Sequence, residues 1–176
     1  SMAQEGTTRS QFLQQSLAAA ASFAVLPQSA NAAKYGGFGA GSPEVLDPKS
    51  AEVDADILAS DAVQKALGAV KSYASSVKAM QDTLSADSQA DIGPKIRKDF
   101  DFAQLRADLN TVNSAFDEDT QRGTDRLIRI VMQDITELET ANRQKDGVAR
   151  SERRLDIMKG KLDKLGKAFN DFLAFV

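Results

Sequence analysis

From Leu155 to the C-terminus, the residues Leu155, Met158, Leu162, Leu165, Phe169, Phe172 and Val176 recur at strictly alternating steps of three and four. An α-helix turns once in about 3.6 residues, so this spacing draws one apolar stripe along a long helix. Such a stripe is stable only when other helices cover it.

Three earlier segments carry the same pattern. The first runs Val63, Leu67, Val70, Ala74, Val77 and Leu84, with Met80 beside the position of Gln81. The second runs Phe102, Leu105, Leu109, Val112 and Phe116, and the third Ile128, Val131, Ile135 and Leu138. Leu127, Ile130, Ile157 and Leu173 widen the stripes, which predicts more than one contact face per helix.

Start and stop signals divide these segments. Ser50 or Ser60 can cap the first helix, and Pro94 suits the first turn of the second, where its missing N–H costs nothing. Asp101 with Gln104 spells a capping box, predicting a kink or restart there. The acidic Asp117–Thr120 run favours the positive end of the third helix dipole, Gly147 marks its expected end, and the fourth helix starts near Ser151. Short links make neighbouring helices antiparallel. The expected fold is therefore all-α, an up-down-up-down four-helix bundle over residues 51–176 preceded by an extended N-terminal arm.

The chain has 176 residues and contains neither histidine nor cysteine. That removes disulfides, thiolate and histidine catalysis, zinc sites of the N/S type and the Glu-x-x-His ligands of di-iron bundles. Paired carboxylates such as Glu137 and Glu139 stand two apart and face different sides of a helix. No catalytic, metal or cofactor residue is expected, and the chain is not read as an enzyme.

The N-terminal region reads as an address. Leu17–Leu26 is an apolar run of ten residues, about half of what spans a bilayer. Arg9 precedes it, Pro27 ends it, and Ala30-Asn31-Ala32 supplies the small-residue pattern of a signal cleavage site before Ala33. Residues 1–32 are expected to be an export signal, and 33–50 a flexible arm containing "KYGGFGAGSP". Lys34, Tyr35 and Phe38 on that arm are candidate anchors for a partner.

Charge is polarised along the chain although the net value is only −3. Glu44 to Asp61 holds six acids and one base, whereas Arg143 to Lys167 holds nine bases and four acids. The basic run makes Arg150, Arg153, Arg154, Lys164 and Lys167 candidate docking residues for an acidic partner, with Asp163 expected to pair with Lys167. So small a net charge gives no sign of a nucleic-acid partner.

The signal ending in "ANA", the arm "AKYGGFGAGSPEVLDP" and the four Ala/Leu-rich helices together resemble the PsbQ-like extrinsic subunits of photosystem II. The likeness is to the diatom lumenal form. It implies a chloroplast protein of the thylakoid lumen, peripheral on the membrane, that binds the photosystem II core and neighbouring extrinsic subunits. It also implies stabilisation of the oxygen-evolving site and retention of calcium and chloride for water oxidation. The other reading of the residues is a helical-bundle adaptor that opens to bind a lipid surface or partner helices.

Overall fold

The computed structural model describes residues 44–176, and this part of the chain is all-helical. The export signal and the arm residues 33–43 lie outside the described residues. Six α-helices follow one another: α1 (Ala55–Leu58), α2 (Asp61–Ala86), α3 (Gly93–Asp99), α4 (Phe102–Asn113), α5 (Glu118–Asn142) and α6 (Glu152–Leu173).

Each long helix begins where a short oxygen-bearing side chain can satisfy a free backbone N–H. Ser60 accepts from Val63 at the start of α2, Asp101 from Gln104 at α4, Asp117 from Thr120 at α5 and Ser151 from Arg154 at α6. Pro94 lies in the first turn of α3. The restart at Asp101 is half of a capping box: the Gln104 amide does not return to the cap but donates to Asp108 Oδ1 at 2.9 Å. The chain between α3 and α4 leaves helical geometry at Phe100, whose ring turns into the core and is 3% exposed.

The apolar stripes meet in one core. Helix α6 packs most extensively on α5 and then on α2, while α4 contacts both α2 and α5. Met158, Leu162, Leu165, Phe169 and Phe172 of α6 are buried, as expected from their spacing. Phe169 sits at the centre, with the Tyr73 and Phe100 ring centroids 6.1 and 6.2 Å away. A second aromatic group forms at the far end of α6, where Phe116 meets Phe172 and Phe175 at 6.3 and 5.9 Å.

Several positions depart from the heptad reading. Helix α6 ends at Leu173, so Phe175 folds back into the core and Val176 is left 40% exposed. Helix α5 stops at Asn142 rather than near Gly147, which lies in the following link with φ +75°. Leu127 and Leu173 are half-buried against the core, but Ile130 and Ile157 are exposed and take no part in a second contact face. Phe102, placed on the α4 stripe by spacing, is 40% exposed because the helix starts there and the Phe100 ring fills the core instead.

The segment 44–54 is tied to the α4–α5 corner. Val45 donates to the Asp119 carbonyl at 3.0 Å, Asp117 to the Glu52 carbonyl at 3.1 Å and Asp54 to the Ala115 carbonyl at 2.7 Å. Glu44 pairs with Arg126 at 2.8 Å. Of the expected arm, residues 44–50 are thus attached to the helical body. Gly123 permits this, since a Cβ there would lie 1.9 Å from the Val45 carbonyl oxygen.

Replacing Gly123 by Ala is expected to lift residues 44–46 off α5 and to cost about 1–3 kcal/mol, the usual penalty of overpacking. Faster hydrogen exchange at the Val45 amide with a lowered thermal midpoint would agree, and unchanged exchange would contradict the close contact. Phe169→Ala should cost about 3–5 kcal/mol in chemical denaturation because the cavity lies among rings that cannot collapse into it.

Candidate docking surface

Burial of one face of α6 turns its charges to the other. Arg153, Arg154, Lys159, Lys164 and Lys167 are exposed on the outer side, and Lys161 is half-buried. Among the described residues, neither Arg153 nor Lys164 has an ion-pair partner. Lys167 pairs with Asp171 at 2.5 Å instead of with Asp163, which accepts a hydrogen bond from the Gln81 amide at 2.8 Å. Arg154 donates to the Arg143 carbonyl and so holds the α5–α6 link to the first turn of α6.

Arg150 belongs elsewhere. It is 5% exposed, so the docking role expected from its place in the basic run does not hold. The guanidinium donates to the Ser88 carbonyl at 2.8 Å and to Asn142 Oδ1 at 3.2 Å. Asn142 in turn accepts from the Ile92 amide at 3.1 Å and donates to Asp91 Oδ1 at 2.8 Å. Burial draws the Arg150 pKa down, while the hydrogen bond from Asn142 holds the Asp91 carboxyl below its usual range. Arg150 therefore ties the α2–α3 link to the end of α5. Lys34, Tyr35 and Phe38 lie outside the described residues.

The outer face borders a shallow groove of about 420 Å³ between α5 and α6. Leu127 and Ile130 supply its apolar part, and Lys161, Lys164 and Lys167 line the α6 side. Lys161 is bound to Glu137, a contact that raises the lysine pKa and lowers that of the glutamate. Glu139 faces Arg97 instead, at 3.6 Å, so Glu137 and Glu139 point apart as their spacing requires.

Asp134, at the bottom of this groove, was not singled out by sequence reasoning. It is 6% exposed, and its Oδ2 has no hydrogen-bond partner among the described residues. Burial pushes its carboxyl above the ordinary range, with Lys161 pulling the other way. The signal was present in the sequence, since Asp134 stands three residues after Val131 and four before Leu138 on the buried stripe. Asp108 obeys the same logic three residues after Leu105, and it accepts a 2.5 Å hydrogen bond from the half-buried Tyr73 phenol. Burial, followed by the Asp108 carboxylate, raises the Tyr73 pKa.

These groups offer charge and shape for a partner. Among the described residues no cluster of three metal-binding side chains occurs, and no helix is long and apolar enough to cross a membrane.

The model of one protein family, PsbQ, described as oxygen evolving enhancer protein 3, matches residues 1–167. No curated protein and no solved structure gives a match.

Charges with different duties respond differently to substitution. Arg150→Gln is expected to destabilise the fold by about 2–3 kcal/mol, because buried acceptors lose a charged donor. Lys164→Gln with Lys167→Gln should leave the thermal midpoint unchanged, as measured by circular dichroism. An equal fall in both variants would contradict this division.

Asp134→Asn tests the buried carboxyl. Because its folded pKa is raised, its penalty is absent below the unfolded value near 4, grows as pH rises through the folded value and is complete above it. The substitution should therefore raise the thermal midpoint at pH 7 and lose that advantage below about pH 4. A pH-independent effect would contradict the assignment.

Proposed function

We infer a docking role for this chain, which belongs to the PsbQ (oxygen evolving enhancer protein 3) family, the extrinsic, non-enzymatic subunits of photosystem II that support oxygen evolution from the lumenal side. A rigid helical body settles on the lumenal face of the complex, steered and held by the outer charges of α6, while the arm ahead of Glu44 supplies a second attachment. The exposed Lys164, which has no ion pair among the described residues, carries this reading, because such an ammonium can meet a carboxylate on another protein.

Arg153, Arg154 and Lys167 extend the charged edge, with Lys34, Tyr35 and Phe38 as arm contacts. Contact with the core and neighbouring extrinsic subunits shields the oxygen-evolving site and slows escape of calcium and chloride. Residues 1–32 act as the export signal into the thylakoid lumen of a chloroplast, as in the diatom form. The pattern of helix contacts, α2 with α4 and α6 and α5 with α4 and α6, supports an up-down-up-down four-helix bundle. An adaptor that opens onto lipid would have to expose Phe169, Phe172 and Leu162, each at most 1% exposed in the closed body. That cost favours the closed cap.

Rebinding to salt-washed photosystem II membranes tests the proposal. Lys164→Glu with Lys167→Glu is expected to weaken rebinding about tenfold at low salt, with a smaller loss at high ionic strength. Removing residues 33–43 should weaken it further and reduce restored oxygen evolution at limiting calcium and chloride. Undiminished rebinding by both variants would overturn the docking role of these segments.

A further inference from the structure

A second surface lies between α4 and α5, away from the basic edge of α6. Here Phe102, Ile128 and Met132 form the apolar floor of an open groove of about 620 Å³. The α4–α5 contact is much less extensive than that between α5 and α6, which leaves the groove open. Phe102 has the spacing of a core residue yet is 40% exposed, so part of a large ring lies open in the groove with no cover from its own chain's described part.

The groove walls carry cations on both sides. Arg106 rises from α4 and Arg129 from α5, and both are exposed. Arg129 pairs with Asp125 at 2.7 Å, whereas Arg106 has no ion pair among the described residues. Asn110 and Gln133 add amides along the same walls. The groove therefore combines an apolar floor with a net positive rim and groups that can pair with a peptide backbone.

We propose that the α4–α5 groove is a docking site for an acidic amphipathic peptide segment of a protein partner. An apolar side chain of that segment rests on Phe102, Ile128 and Met132, and a carboxylate pairs with Arg106. This rests on the reading that the chain docks on photosystem II, and adds a second contact surface to it. Charge selects the occupant. A second copy docked on the same patch would face Arg106 and Arg129 with arginines, and like charges oppose such a pairing. A lipid surface would engage a broad basic face, whereas this groove carries a single cation, Arg106, without an ion pair among the described residues.

Rebinding of the full chain to salt-washed photosystem II membranes provides the test. Arg106→Glu and Phe102→Ser are each expected to weaken binding at least fivefold with unchanged thermal midpoints, since both side chains are exposed. Arg106→Gln should give a smaller loss in the same direction, and it serves if either first variant unfolds. Lys65→Glu, an exposed charge on α2, should bind as the unaltered chain does. A photo-crosslinker placed at position 106 should capture a protein peptide rich in Asp and Glu.

Normal rebinding by the Arg106 and Phe102 variants, while reversal at Lys164 and Lys167 still weakens it, would overturn the groove and leave the basic edge standing. Failure of the unaltered chain to rebind would overturn the docking reading and this site together. Binding to anionic phosphatidylglycerol vesicles that is lost in Arg106→Glu, or dimers in sedimentation that are lost in the same variant, would assign the groove to another occupant and overturn the proposal.

Discussion

The fold depends on burying one face of α6 from two sides at once. Met158, Leu162, Leu165, Phe169 and Phe172 are each at most 1% exposed, and both α2 and α5 close over them. Each such side chain contributes about 1.5–3 kcal/mol when removed from water. The same burial fixes where the charge goes, because a helix with one face inside must turn its remaining residues out. The outward placement of these charges is thus a consequence of the core.

Two classes of charge follow from that geometry. Arg150, Asp134 and Asp108 lie inside: Arg150 and Asp108 are held by hydrogen bonds to neighbouring elements, and Asp134 is buried beside Lys161. Arg153, Lys164 and Arg106 stand outside without ion-pair partners among the described residues, so their fields reach beyond the molecule. A capping subunit of a larger complex needs this separation. Its body must hold its shape without the partner, and its surface must gain something from contact.

Much of the fold was legible in the sequence because it is local. Caps at Ser60, Asp101, Asp117 and Ser151 depend on neighbours within three residues, and stripe positions depend only on helical period. Helix ends and the Lys167–Asp171 pair were misplaced by a few residues, and the larger misses are tertiary. Nothing near Arg150 announces that Ser88 and Asn142 wait for it, some sixty and eight residues away. The turn-in of Phe100 that leaves Phe102 at the surface is a tertiary choice between two nearby rings. Attachment of residues 44–54 needs the carbonyls of Asp119 and Ala115, and only the glycine at 123 hints at a close approach. Asp134 and Asp108 were the readable exceptions, as carboxylates standing on apolar stripes.

The proposed division between an inward face that folds and an outward face that docks can be read lysine by lysine. Covalent acetylation of surface amines, followed by mass spectrometry of the free chain and of the chain bound to photosystem II membranes, measures it directly. Lys164 and Lys167 are expected to become strongly protected on binding, while Lys65, Lys71 and Lys78 on the exposed side of α2 label as before. Equal labelling of Lys164 and Lys167 in the free and bound states, with protection confined to α2, would contradict it.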